Sequence, residues 1–356
     1  EEELPRPQKD LSRQLKVACV GDSITYGSGS SNRDTTSYPP QLQEMLGDSY
    51  DVRNFGLGGT TLLNNTDKPY TAQAEYQASL EFEPDIVIIM LGTNDSKPKN
   101  SDRIAAEYKD DFLALIESYQ NLSSNPKIYI ATSPYVMGHR DNPGSNDIIS
   151  EVVADTIVPL QKEIARDTGL ELIDIHAVTY QQSIFPDNVH PNDEGYTLIA
   201  GAFYDVLFNY LPRGVTAARS NIRALTDLLV SVEALEAADY TVASWASLQR
   251  IVAYASAFDN TIRQSDVDWA AQALENAIQG LVEKEDQPQY EKGDLNKDGK
   301  IDIQDIMAAC RILARQNTGS LPSDEELALG DMDGSNAIDI QDIMSLCRVL
   351  ARQNAQ

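Results

Sequence analysis

The 356-residue chain is short of cysteine, histidine, tryptophan and positive charge. Three cysteines supply no disulfide framework. Cys19 falls in an apolar run. Cys310 and Cys347 recur at matching places in a repeat, where two packed thiols are expected rather than a bridge. Lys and Arg total 28 against 55 Asp and Glu, a formal net charge of −27. That balance excludes nucleic acid and anionic membrane surfaces as general partners, and favours cations wherever carboxylates cluster. No apolar run reaches the length of a membrane span. The opening EEELPRPQKD is acidic and polar, so residues 1–14 read as an unstructured leader and not as a signal peptide.

What is present alternates. Five apolar runs, LKVACV, YDVRNF, PDIVIIML, KIYIAT and LELIDI, are separated by helical periods near Tyr38–Leu46, Asp102–Leu122, Asn146–Thr168 and Asn192–Tyr210. Strand–helix alternation over residues 15–213 predicts an α/β domain with a mostly parallel sheet covered on both faces. Residues 217–284 lack proline and carry three helical stripes. Ser265 is the expected cap of the third, and Trp245 and Trp269 are expected core anchors. This stretch resembles the FIVAR module, through Asp239-Tyr240-Thr241, Ser244-Trp245, Leu248 and Val267-Asp268 with Leu274, Ala277-Ile278 and Leu281. The resemblance implies a three-helix bundle acting as a spacer or docking surface. Residues 285–292 form a polar linker.

A repeat follows. Asp294–Asn317 recurs as Asp331–Asn354, with IDIQDIM identical in both copies. The first loop places oxygen ligands at Asp294, Asn296, Asp298, the Lys300 carbonyl, Asp302 and Asp305, with Gly299 at the sharp turn. The second offers Asp331, Asp333, Ser335, the Ala337 carbonyl, Asp339 and Asp342, with Asn336 at the turn. Alternating oxygens in a loop of this length suit a hard cation, and calcium fits best. Neutral Ser335 makes the second site the weaker. Residues 293–354 resemble a dockerin. The resemblance implies two structural calcium ions, one helix after each loop, and a cohesin module of a scaffold protein as partner. It also implies recognition through the tenth and eleventh loop positions, Ile303-Gln304 and Ile340-Gln341.

The first apolar run ends in Gly21-Asp22-Ser23, a turn that leaves a hydroxyl at a strand end. Alone, such a tripeptide is as readily a helix cap. Gly56-Leu57-Gly58-Gly59 could cradle phosphate or present N–H groups to an oxyanion. Asn94, in Gly92-Thr93-Asn94-Asp95, is a turn residue or an amide donor. Of the three histidines, His139 sits in a polar loop and could line a cleft, while His176 reads as structural. His190 follows Asp187 by three residues, so one loop can pair an imidazole with a carboxylate.

Together G-D-S, N-x-G-x-x-G, G-x-N-D and D-x-x-H resemble, in order, the four blocks of the SGNH or GDSL-like hydrolases. Gly58 stands where the family more often has Ser. The resemblance implies a flavodoxin-like doubly wound sheet and a triad of Ser23, His190 and Asp187. It implies an oxyanion hole from the Ser23 and Gly59 N–H groups and the Asn94 side chain, and no cofactor for catalysis. Loops 28–38, 62–70, 96–103 and 134–146 are polar, with Tyr26, Tyr38, Tyr70 and Tyr135 nearby. They favour a short acyl group on a polar alcohol over a lipid chain. With the dockerin, this points to a secreted, scaffold-associated carbohydrate acetylesterase, such as an acetylxylan or sialate O-acetylesterase. A lysophospholipase or thioesterase, and a non-catalytic adhesion or scaffold component, are the alternatives.

Overall fold

A computed structural model of the chain describes residues 4–137, 147–284, 290–316, 319–335 and 337–353. His139 and Asn336 lie outside them. The chain divides into two compact units, residues 1–237 with 242–281, and residues 238–241 with 282–356. No helix among the described residues is long and apolar enough to cross a membrane.

The larger unit holds five parallel strands in the order β2-β1-β3-β4-β5, the flavodoxin-like order. They are β1 (Leu15–Gly21), β2 (Tyr50–Gly56), β3 (Ile86–Met90), β4 (Lys127–Ala131) and β5 (Glu171–Ile173). Alternate residues of each central strand feed two separate cores. Ala18, Val20, Val87, Ile89, Ile128 and Ile130 pack on one face with the helices Ile104–Gln120 and Val158–Thr168. Val17, Cys19, Ile86, Ile88, Tyr129 and Ala131 pack on the other with Tyr38–Leu46 and Asp193–Leu207. Burial on both faces explains why these strands show no polar alternation. Every residue of β3 is buried.

Several local expectations are corrected. Residues 4–14 are not a free leader. Leu11 bridges Ala217, the Lys9 ammonium caps the Phe208 carbonyl at 3.0 Å, and the Gln8 N–H donates to Asp266 at 2.7 Å. The expected helix over 146–168 is broken by a π turn at Val153–Ile157. Pro159 has no N–H to return to the preceding turn, so the ladder slips there. Ser265 does not cap the third helix of 217–284. That helix runs Gln264–Gln279 behind Arg263, with no side-chain cap bond. Tyr38 and Tyr70 are wholly buried and donate to Thr25 Oγ1 and the Phe55 carbonyl, so neither lines a cleft.

The helices Arg223–Val232, Val242–Ser256 and Gln264–Gln279 share one apolar cluster centred on Leu225, Leu248, Val267 and Leu274. Trp245 packs against it, whereas Trp269 stays 42% exposed with its ring edge-on to Tyr254. These helices fall in the same compact unit as the sheet, because residues 4–14 bond to both.

One glycine limits the turn that follows β3. Gly92 has φ +136°, and a Cβ there would meet Tyr108 Oη at 2.7 Å and Ser133 Oγ at 2.9 Å. Gly92→Ala is expected to cost about 1–3 kcal/mol through backbone strain and crowding. Thermal denaturation of the variant checks this, and an unchanged melting temperature would contradict it.

The smaller unit has helices Ile303–Gln316 and Ile340–Gln353 after the two loops, starting where the repeat predicts. Its core is small, built on Ile301, Ala309 and Leu346. A further helix, Asp324–Gly330, opens with a reciprocal capping box between Ser323 and Glu326. Cys310 and Cys347 are exposed free thiols and not packed ones, since they face away from that core.

Candidate active site

Ser23 opens a single helical turn directly after β1, so its hydroxyl stands at the carboxyl end of the sheet. His190 Nε2 lies 2.9 Å from Ser23 Oγ, and His190 Nδ1 lies 2.7 Å from Asp187 Oδ2. Asn188 between them adopts φ +71°, the left-handed region. That bend lets Asp187 Oδ1 also accept the Val189 and His190 N–H groups at 3.0 and 2.7 Å. Burial pushes the Asp187 carboxyl up, but the His190 backbone and ring and the Val189 N–H outweigh it and hold the group below the ordinary range. Asp187 is therefore an anion beside the imidazole at neutral pH.

The glycine-rich loop is tied against the serine. The Leu57 N–H donates to the Gly21 carbonyl at 3.0 Å, and a Cβ at Gly58 would lie 3.8 Å from Ser23 Cβ. Lys68 Nζ clamps the Gly58 carbonyl at 2.6 Å, and Gly59 takes φ +81°. Asn94 is 5% exposed, and its Nδ2 donates to the Thr60 carbonyl at 3.0 Å. That bond uses one amide hydrogen and leaves the second for another acceptor. Ser23, Asp187 and His190 thus form one hydrogen-bonded chain, and a bond from Asn94 reaches the loop that carries Gly59. His176 is apart, its Nδ1 3.2 Å from the Ser133 carbonyl.

Two buried carboxyls were not singled out from the sequence, although G-D-S and N-D contain them. Asp95 accepts the Leu62 and Leu63 N–H groups at 3.0 and 2.8 Å and so holds the loop after Gly59. Burial raises it to about 7. Asp22 caps Ser23's turn by accepting the Ile24 N–H at 2.9 Å. Its Oδ2 is buried without a hydrogen-bond partner among the described residues. Burial raises Asp22 to about 6 against the Ile24 bond and the charge of a protonated His190, which lower it.

A carboxyl raised in the folded state binds its proton more tightly folded than unfolded. Its contribution to stability therefore grows as pH falls from about 6 towards 3.8, and above that window its ionisation costs about 3 kcal/mol. Asp22→Asn keeps the cap and cannot ionise. Relative to wild type it should be more favourable at pH 8 than at pH 4 by about that amount. Urea unfolding of the larger unit at both values measures it. An identical difference at the two pH values would contradict the cost.

The two acidic loops of the smaller unit also close. Asp294 and Asp305 are 1% and 0% exposed, and Asp331 and Asp342 are 6% and 0%. Asp294 accepts the Asp298 and Gly299 N–H groups, and Asp305 those of Asn296 and Asp302. Asp298 and Asp302 cap Lys300 and Gln304 in the same loop. Asp342 accepts from Met332 and Asp339, and Asp331 from Gly334 and Ser335. Asp339 accepts the Gln341 N–H at 2.6 Å, and Ser335 Oγ approaches the Ala337 carbonyl at 3.5 Å.

Carboxylate oxygens of Asp331, Asp333 and Asp342 lie within 4.8 Å of one another. No Lys or Arg pairs with Asp294, Asp305 or Asp342 among the described residues. Buried carboxylates without a cationic side chain are the donor set of a hard divalent cation. Position four of each loop is left-handed, Lys297 at φ +63° and Gly334 at φ +81°, a feature the spacing did not reveal. Ile303 and Ile340 are 64% and 65% exposed, and Met307 and Met344, one turn on, are each 51% exposed. The two methionines extend the stripe that the sequence assigned to Ile303, Gln304, Ile340 and Gln341.

A serine hydroxyl in line with an imidazole and a carboxylate, at the strand ends of a parallel sheet, is the arrangement of an acyl-transfer hydrolase. Residues 19–198 match the GDSL-like lipase/acylhydrolase family, and the chain belongs to that family. Residues 292–351 match the dockerin type I domain. Over 211 residues the chain is 36% identical to an acetylxylan esterase of Xylanibacter ruminicola, covering 54% of this chain and 42% of that one. Over 237 residues it is 24% identical to a multidomain esterase of Ruminococcus flavefaciens, covering 55% and 29%. The chain thus spans less than half the length of either relative. A carbohydrate acetylesterase family member from Sinorhizobium meliloti aligns with a TM-score of 0.45 at 21% identity, over 55% of this chain and 97% of its own.

Proposed function

We propose that the protein is an extracellular serine esterase that removes O-acetyl groups from carbohydrate and is held on a cohesin-bearing scaffold by its calcium-loaded dockerin. The hydrogen-bonded chain Asp187–His190–Ser23 carries the reading. His190 Nε2 takes the Ser23 proton as Oγ attacks the acetyl carbonyl carbon. The oxyanion is held by the Ser23 and Gly59 N–H groups and the free amide hydrogen of Asn94. His190 then gives its proton to the sugar oxygen, the C–O bond breaks, and the deacetylated sugar leaves. Water, deprotonated by the same imidazole, attacks the acetyl-enzyme and releases acetate. Asp187 keeps the Nδ1 proton in place and offsets the imidazolium charge.

The sugar assignment draws on the polar loops and on the likeness to the acetylxylan esterase of Xylanibacter ruminicola. In the dockerin, Asp294, Asn296, Asp298, the Lys300 carbonyl, Asp302 and Asp305 would hold one calcium. Asp331, Asp333, Ser335, the Ala337 carbonyl, Asp339 and Asp342 would hold the other. Residues 217–284 serve as a FIVAR-like spacer. Acetate release from acetylated xylan, acetylated mannan and O-acetyl sialic acid, beside p-nitrophenyl esters of rising chain length, tests the substrate. Preference for long acyl chains with no acetate from any glycan would refute it.

A further inference from the structure

We infer that a cleft at the carboxyl ends of β4 and β5 is a subsite for a sugar unit of the glycan main chain, away from the acetylated residue. This rests on the proposed esterase reading and adds the place and chemistry of substrate recognition. The cleft holds about 320 Å³ and is walled by Tyr135, His176, Tyr180, Glu151 and Asp155. Tyr135 lies after β4, and His176 and Tyr180 lie after β5. Strands two and three places from β1 in the sheet stand about 10–15 Å from it. A glycan chain whose acetyl group reaches Ser23 can therefore extend into the cleft. The two regions are also joined through the backbone, since the Met137 N–H donates to the Asn188 carbonyl at 2.9 Å, two residues before His190.

The chemistry of the walls suits a sugar. Tyr180 is 69% exposed, the most exposed aromatic ring among the large apolar side chains that stand out of the surface. It is held in place, with its ring 4.7 Å from that of Tyr135, which in turn packs against His176 and Phe185 at 5.8 and 6.2 Å. An exposed ring on a rigid aromatic base offers a flat apolar face for the C–H side of a pyranose. Across the cleft, the π turn Val153–Ile157 carries Asp155 on its exposed side, one turn after Glu151. Carboxylates accept hydrogen bonds from sugar hydroxyls. No Lys or Arg is among the described residues that line the cleft. A metal is a poorer occupant, because the group of clustered metal-type ligands among the described residues is Asp331, Asp333 and Asp342, in the other unit.

The test uses the full chain and two readouts. Calorimetric titration of Ser23→Ala with xylohexaose and with mannohexaose reads binding without turnover. Adding Tyr180→Ala or Asp155→Asn to that protein should weaken binding about tenfold, and Tyr180→Phe, which keeps the ring face, should not. In the active enzyme, Tyr180→Ala should raise KM for acetylated xylan or mannan about tenfold, with kcat/KM for p-nitrophenyl acetate changed by less than about twofold. If neither hexasaccharide binds, or if binding is the same with and without Tyr180→Ala and Asp155→Asn, the subsite is wrong. If the hexasaccharide binds through Tyr180 but no acetylated glycan is hydrolysed, the cleft stands and the substrate reading falls.

Discussion

Ser23→Ala should lower kcat for p-nitrophenyl acetate by a factor on the order of 10⁴ or more while the circular dichroism spectrum stays that of wild type. Among the described residues the hydroxyl bonds only His190 Nε2, so its loss removes the attacking atom and little else. His190→Ala should be comparably severe, because among the described residues His190 is the base bonded to Oγ. Asn94→Ala removes one oxyanion donor and also the bond to the Thr60 carbonyl. It is expected to cost about 10²–10³ in kcat with a smaller change in KM. His176→Ala is the control on this small ester, since its imidazole is bonded to the Ser133 carbonyl and not to the serine. Near wild-type turnover by Ser23→Ala would overturn the catalytic assignment.

Chelation should separate the two units. The smaller one has a core of few apolar side chains and buries four carboxylates, Asp294, Asp305, Asp331 and Asp342. Without a cation those charges oppose folding, and a module this small has little apolar burial to set against them. Free calcium at a thousandfold excess over its dissociation constant would stabilise the module by about 4 kcal/mol per site. In EDTA we therefore expect residues 293–354 to unfold or loosen and cohesin binding to be lost. Hydrolysis of p-nitrophenyl acetate should persist, because Ser23, His190 and Asp187 belong to the other unit and use no metal in the proposed steps. Asp294→Ala should weaken calcium binding at the first loop and Asp331→Ala at the second. Calorimetry with and without calcium, run beside the ester assay, reads both halves. Esterase activity falling in step with calcium removal would count against independent units.

Local chemistry made much of this legible. Buried parallel strands need apolar residues on both faces, so Leu15–Gly21 and Ile86–Met90 announce themselves by continuous runs. Asp187 and His190 are three residues apart, and their pairing is a property of one loop. The acidic loops were readable for the same reason, since every ligand of a loop lies within a dozen residues. Ser323 and Glu326, three residues apart, carry a local capping signal as well, ahead of the helix Asp324–Gly330.

Tertiary structure decided whatever depends on residues far apart in the chain. The burial of Tyr38 and Tyr70, which polar neighbours made look like cleft residues, follows from helices and loops arriving from elsewhere. So does the ordering of residues 4–14, whose partners lie some two hundred residues away and give no local pattern. The charge state of Asp22 and Asp95 depends on how completely the sheet ends and the Asn94 turn exclude water, which composition does not encode. The cleft of Tyr135, Tyr180 and Asp155 joins three segments that only the order of β4 and β5 brings together. The sequence by itself thus determined the strands, the loops and the groups able to do chemistry, because those are set by neighbours along the chain. Which of those groups are dry, which are paired across the sheet and which face an open cleft was decided by packing, because desolvation and long-range contact exist only once the chain has closed on itself.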